Sequence, residues 1–329
     1  KSFKVYRDHK GYFGALFNLF DRKYDLIKAV DRIDFKIHPG ELVGYIGPNG
    51  AGKSTTIKML TGLLVPTDGE VVIKGCIPWK HRKQYVRDIG AVFGQRTTLW
   101  WDLPLRDSFD LLKHIYEIPD DVFSKNFNLF REILDLDAFM KVPVRGLSLG
   151  QRMRADLCAA LLHNPSLVFL DEPTIGLDIV AKQRIREFIQ YINQERHTTI
   201  LLTTHDISDV SKLCERVLII DHGKILFDGR LNDLLAEFGG KRILVVEFAE
   251  EYRDPSLEET QIIERNGSKV VYSFERKAVS ASKLINKLSQ KYRIRDLEVQ
   301  DQPIEDTIRR IYEERLLYNH TYGKEDPPS

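Results

Sequence analysis

The run Gly47-Pro48-Asn49-Gly50-Ala51-Gly52-Lys53-Ser54-Thr55 constrains this chain more than any other stretch, because it matches G-x-x-x-x-G-K-[ST]. It follows the candidate strand 41–46 and precedes Thr56-Ile57-Lys58-Met59-Leu60, so strand, glycine-rich turn and helix come in the order the motif requires. In such a loop the glycines let backbone N–H groups wrap an anion, and the helix N-terminus adds its partial positive charge. Lys53 is then expected to reach the β- and γ-phosphates of a nucleotide, and Ser54 to ligate Mg²⁺. The bland alternative is a glycine-rich turn with a surface lysine.

Residues further along weigh against that alternative. Leu167-Val168-Phe169-Leu170-Asp171-Glu172-Pro173 places two adjacent carboxylates at the carboxyl end of an apolar run. The run does not alternate, which predicts a strand buried on both faces, and ligands of open α/β sheets bind at that carboxyl edge. Asp171 is expected to hold Mg²⁺, usually through water, and Glu172 to orient and deprotonate an attacking water. One carboxylate at a strand end is common in ordinary turns, whereas two alongside a phosphate loop point to hydrolysis.

The remaining pattern supplies a scaffold. Short apolar runs at 41–46, 89–93, 167–170, 199–203 and 216–220 alternate with amphipathic stretches, which predicts a mainly parallel sheet covered by helices. Between residues 101 and 160 the pattern turns helical, with Leu111, Leu112, Ile115 and Tyr116 spaced for one buried face, so a helical subdomain over about 97–160 is expected as an insertion. Asp228-Gly229-Arg230 reads as a turn, 231–238 as a closing helix, and Gly239-Gly240 as a stop and hinge. Beyond it, strands at 243–248, 260–264 and 269–274, a hairpin at Asn266-Gly267, a helix at 280–291, a strand near 294–299 and a helix at 304–316 predict a small α+β domain. The expected domains are therefore 1–240 and 241–329, with a disordered tail from residue 321.

Bulk properties exclude several classes. A chain of 329 residues buries a core without staples, and Cys76, Cys158 and Cys214 lie too far apart for a disulfide framework or a paired metal site, as in a reducing cytosol. Lys+Arg 49 against Asp+Glu 48 leaves a net charge of +1, too little field to grip a nucleic-acid backbone, so no nucleic-acid partner is expected. No stretch approaches the roughly 18 consecutive apolar residues of a membrane-spanning helix, and the first residues lack a secretory pattern, so the chain is not expected to cross a bilayer alone.

Leu147-Ser148-Leu149-Gly150-Gln151, followed by the apolar helix 153–162 and then Asp171-Glu172, closely resembles the signature of the ATP-binding cassette family. The resemblance covers nearly all of residues 24–230. It implies a phosphate-loop α/β fold with a mainly parallel core sheet, an antiparallel β subdomain and an inserted helical subdomain. It also implies that MgATP is hydrolysed between two copies packed head to tail, the Ser148, Gly150 and Gln151 segment of one chain reaching the γ-phosphate held by the other. The third signature position, usually glycine, is Leu149 here; taken alone, Ser148 would read as a helix N-cap. By the same resemblance Gln95 is the glutamine that senses Mg²⁺, Asp178 crosses the dimer interface, His205 contacts the γ-phosphate and steadies the water, and Tyr24 stacks on adenine, with Tyr6 or Tyr12 as substitutes.

The partners implied are a second copy and separate transmembrane permease subunits, with the chain peripheral on the cytoplasmic face of the membrane. The continuation through Thr56 into Lys58-Met59-Leu60, and Pro303-Ile304-Glu305-Asp306-Thr307-Ile308, are similar to the exporter branch called the ABC-2 type. Members acting on ribosomes or DNA usually fuse two cassettes or insert a long coiled coil, and this sequence has neither. Phe13, Leu16, Phe17 and Phe20 form an apolar stripe expected to touch the bilayer or membrane subunit, or equally to pack on their own domain. Trp100 and Trp101 are expected to place one ring at an interface and the other in the core.

Overall fold

A computed structural model describes residues 1–6, 24–94, 96–276, 278–301, 304–314 and 316–317, with the side chains of 4–6, 24 and 25 outside the description. The aromatic stripe from Phe13 to Phe20, Tyr12, Gln95, Pro303 and the tail from residue 321 all lie outside the described residues. The chain divides into two units, Lys1–Asp228 and Gly229–Ser329.

In the first unit, β1 (Ser2–Tyr6) pairs antiparallel with β2 (Tyr24–Lys28), Ser2 opposite Lys28. The main sheet is built from β3 (Leu42–Ile46), β4 (Ile89–Phe93), β5 (Leu167–Asp171), β6 (Thr199–Thr204), β7 (Arg216–Asp221) and β8 (Lys224–Arg230). Its order is β4-β5-β6-β3-β7-β8, and the first five run parallel. Val168, Phe169 and Leu170 are buried on both faces of β5, as the non-alternating run requires. Asp228-Gly229-Arg230, expected as a turn, is instead the end of β8; Arg216 grips the Asp228 carboxylate through Nε at 2.8 Å and Nη2 at 2.9 Å and holds the segment extended.

The helices are α1 (Lys53–Leu60), α2 (Arg82–Arg87), α3 (Leu105–Ile115), α4 (Asp120–Ile133), α5 (Leu149–Leu161), α6 (Ile179–Arg196) and α7 (Ile207–Leu213). The insertion comprises α3, α4 and the start of α5. The buried face of α3 is Leu105, Ser108, Phe109 and Leu112, while Leu111 and Ile115 are exposed. Of the expected face, Leu112 is buried and Tyr116 is half-buried with its ring stacked on His163 at 4.2 Å, so the buried stripe is turned by less than one residue step toward Leu105 and Phe109. Phe130 of α4 meets Phe188 of α6 edge-on at 5.2 Å, and Arg196 lies over Phe130 at 4.7 Å while donating to Asn126 Oδ1 at 2.9 Å. These contacts fix the insertion to the helix that follows β5.

In the second unit, α8 (Leu231–Phe238) packs with α10 (Ile304–Glu313). Between them β9 (Lys241–Phe248), β10 (Thr260–Asn266), β11 (Lys269–Glu275) and β12 (Ile294–Asp301) form an antiparallel sheet of order β10-β11-β9-β12. Asn266 faces Lys269 across a two-residue turn whose first residue, Gly267, has φ 56°. Leu244, Val246, Phe248, Tyr272 and Phe274 cover one sheet face and pack on Leu284 and Leu288 of α9 (Ala281–Lys291). Among the described residues no helix is long and apolar enough to cross a membrane.

Candidate functional site

The carboxyl edge of the main sheet collects the polar side chains. β3 ends at Ile46 between β6 and β7, and the chain leaves it at Gly47, where a Cβ would stand 2.3 Å from the Ile220 carbonyl oxygen. Only glycine fits there. Gly52, with φ 110°, closes the loop under the same constraint, 2.4 Å from the Ala29 carbonyl oxygen. No side chain caps α1, so its first N–H groups face outward in the geometry that suits an anion.

Pro48, Asn49 and Gly50 are exposed, and Ala51 is buried. The Lys53 ammonium is buried and donates to the carbonyl oxygens of Gly47 at 2.7 Å and Pro48 at 3.1 Å. Burial pushes its pKa down, against the opposing pull of Glu172 and Asp171. Ser54 is exposed and Thr55 half-buried. The buried hydroxyl of Thr56 donates to the Gly52 carbonyl at 3.1 Å and lies 3.2 Å from Tyr45 Oη, so it braces the loop from inside.

Two strands away, Asp171 ends β5 beside Thr203 of β6. Thr203 Oγ1 donates to Asp171 Oδ1 at 2.5 Å, and Ser54 Oγ donates to the same oxygen at 3.2 Å. Glu172 Oε1 lies 4.0 Å from Lys53 Nζ, and its Oε2 accepts from His205 Nδ1 at 2.5 Å. Lys53, Ser54, Asp171, Glu172 and His205, distant in sequence, therefore converge. The paired oxygens of Ser54 and Asp171 are a hard, sulfur-free donor set, which fits Mg²⁺ rather than a softer ion.

Thr203 is a site residue that the sequence reading missed. A polar pair, Thr203-Thr204, closing an Ile/Leu strand at the sheet's carboxyl end was the available signal. Gly94 also matters: its N–H donates to the Asp171 carbonyl at 2.8 Å, and a Cβ there would stand 2.4 Å from the Glu172 carbonyl oxygen. The next residue, Gln95, is outside the described residues. Tyr24 opens β2, with its side chain, like that of Tyr6, outside the description.

The signature residues form a second cluster. Ser148 caps α5, its Oγ accepting the Gln151 N–H at 3.2 Å, while Gln151 Oε1 accepts the Ser148 N–H at 2.9 Å. The two side chains satisfy one another as a capping box, and the first-turn N–H groups of Leu149 and Gly150 take no part in it. Leu149 folds over Gly176, its Cδ2 being 3.0 Å from where a Gly176 Cβ would stand, and Gly150 lies against Leu177 and Ala181. Asp178 caps α6 through the Ala181 N–H at 2.8 Å, and the next two residues, Ile179 and Val180, are 85% and 65% exposed. Neither tryptophan of the pair takes the core position: Trp100 is 37% and Trp101 49% exposed, Arg152 covers Trp101 at 5.6 Å, and Leu99 fills the interior instead.

The family profile described as ABC transporter matches residues 30–175. The ABC transporter ATP-binding protein NatA of Bacillus subtilis (strain 168) is 32% identical over 215 residues, 65% of this chain and 87% of its own length. The bacitracin transport ATP-binding protein BcrA of Bacillus licheniformis is 35% identical over 62% of this chain and 66% of its own length. A solved dimeric post-hydrolysis state of an ATP-binding cassette, bound to ADP and Pi, superposes with TM-score 0.58 at 27% identity over 64% of this chain and 94% of that chain.

Proposed function

The chain belongs to the ATP-binding cassette family of transporter ATPases, and on that premise we propose that it powers an ABC-2 type exporter as a head-to-tail dimer on separate transmembrane subunits. It binds ATP and is an ATPase. The single observation that supports the catalytic assignment is the meeting of Lys53, Ser54, Asp171, Glu172 and His205 at one sheet edge, with Glu172 2.5 Å from His205 and 4.0 Å from Lys53.

In this reading the amides of residues 47–55 wrap the β-phosphate, and Lys53 leaves the Gly47 and Pro48 carbonyls for the phosphate oxygens. Ser54 and Asp171 would hold Mg²⁺, with Gln95 beside them, and the ion would offset phosphate charge. Glu172 accepts the proton of the attacking water as its oxygen bonds to the γ-phosphorus and the bond to the ADP oxygen breaks. His205 holds the Glu172 carboxylate in place and faces the γ-phosphate, while Tyr24 stacks on adenine.

The second half of each site comes from the partner copy, whose Ser148–Gln151 helix start presents the Leu149 and Gly150 amides to the γ-phosphate. The apolar pair Ile179 and Val180 beside Asp178 supports a protein surface there. The exposed Trp100 and Trp101 are suited to anchor a membrane subunit on the cytoplasmic face. The exporter assignment is supported by relatives such as the bacitracin transport protein.

Glu172→Gln tests the assignment. It should retain ATP binding while turnover falls by about 10²–10⁴-fold, the usual worth of a general base. Turnover at the wild-type rate would remove Glu172 from the role.

A further inference from the structure

Glu172 sits in the left-handed backbone region, φ 57°. For a residue with a Cβ this conformation is strained and persists only where the surroundings over-determine it. Upstream, the restraint is the Glu172 N–H, which donates to the Thr203 carbonyl at 3.0 Å and to Thr203 Oγ1 at 3.2 Å. Downstream, the chain passes through buried Pro173 to buried Thr174, whose hydroxyl donates to Asp209 Oδ2. Asp209 is fully buried, and its Oδ1 accepts from Arg186 Nε at 2.6 Å, while Arg186 Nη2 also donates to Ser208 Oγ at 3.0 Å.

A charge pair this deep contributes little net stability compared with an apolar replacement, because desolvation offsets most of the attraction. Its position in the chain suggests another use. Thr174 follows Glu172 by two residues, and Asp209 follows His205 by four, so one buried carboxylate joins the two segments that carry the Glu172–His205 contact. Arg186 anchors that carboxylate to α6, and Lys182, one turn earlier on α6, grips Asp206 at 2.5 Å beside His205. The start of α7 is thus held at two points.

We propose that Thr174, Asp209 and Arg186 form a positioning network for hydrolysis, clamping the backbone behind Glu172 and the helix behind His205 to one buried carboxylate so that base and histidine stay aligned. This rests on the roles given to Glu172 and His205 above. None of the three touches the reacting atoms; they act through the two residues they hold. A displacement on the order of 1 Å in a catalytic group is enough to cost up to about 10²-fold in rate.

The test is Thr174→Val, close to isosteric, which removes the hydroxyl and leaves the Arg186–Asp209 pair. In the full chain kcat should fall by about 10- to 100-fold, with KM for ATP and equilibrium binding of a fluorescent ATP analogue unchanged. Thr174→Ser should restore the rate. A wild-type kcat in Thr174→Val, a Thr174→Ser variant as impaired as Thr174→Val, or a loss of nucleotide binding in step with turnover would each overturn the proposal. Should Thr174→Val not fold, Arg186→Lys is read by the same criteria, since it keeps the charge but loses the fork; full kcat there overturns the network as well. Glu172→Gln separates the two levels: if it is inactive while Thr174→Val is fully active, only the network fails, whereas an active Glu172→Gln removes the reading beneath it.

Discussion

Asp156 shows how one buried side chain makes a pH-dependent contribution. It lies on the inner face of α5 and accepts hydrogen bonds from Thr97 Oγ1 at 2.8 Å and the Thr98 N–H at 3.1 Å, in the segment just after Gln95. Burial raises its pKa to about 6, and these bonds with the nearby Arg152 charge offset only part of that. With the folded pKa above the unfolded value of 3.8, the native state binds the proton more tightly, so ionisation costs stability. The cost is fully present above about pH 6, shrinks as pH falls through that value, and is gone below the unfolded pKa. Asp156→Asn, which cannot ionise, should therefore gain stability relative to wild type as pH rises from about 5 to about 8; denaturant unfolding across that range checks it, and a pH-independent difference would refute it. The residues of the phosphate loop and the acidic pair were legible in sequence because their types and spacing are themselves the chemistry. Thr203 left only a faint signal in its polar strand end, and Thr174, Asp209 and Arg186 left none, since a threonine or a buried ion pair acquires its role from strand register and helix packing. Thr56 and Ser148, inside recognisable motifs, bond their hydroxyls to backbone groups, Thr56 to the Gly52 carbonyl and Ser148 to the Gln151 N–H.

Among elements, the parallel strands were the most readable, because continuous apolar runs such as Leu167–Asp171 have few alternatives to a doubly buried strand. Amphipathic faces were less so. On α3 the stripe begins at Leu105, immediately after Pro104; Leu112 belongs to it, but Leu111 and Ile115 of the expected face fall on its solvent side. The tryptophan pair precedes α3 in a loop, where helical periodicity has no say over which ring is buried. For α5 the expectation of a capped start is met by both bonds of a capping box, which ties its stability to Ser148. Ser148→Ala should lower the unfolding free energy of the nucleotide-free protein by about 1 kcal/mol, and Ser148→Asp should recover most of it. An unchanged denaturation midpoint in the alanine variant would show that the cap carries no weight. Leu149, the departure from the signature pattern, is accommodated because its side chain turns onto Gly176 of the same chain.

At the scale of the whole molecule, the hairpin at Asn266-Gly267 and the antiparallel sheet around it were readable from turn chemistry. The pairing of α8 with α10 was not, because it joins residues too far apart in sequence for local pattern to reveal. Within one chain the phosphate loop, the Ser54 and Asp171 oxygens and the Glu172–His205 pair come together, while Gly150 of the α5 start lies against Leu177 and Ala181, beside the exposed Ile179 and Val180. In the proposed dimer each copy lends its helix start to the other's nucleotide. The most direct measurement is the sedimentation of Glu172→Gln saturated with MgATP. The account predicts a species of twice the subunit mass that reverts when Mg²⁺ is chelated; a sedimentation coefficient that stays at the monomer value under saturating MgATP would contradict it.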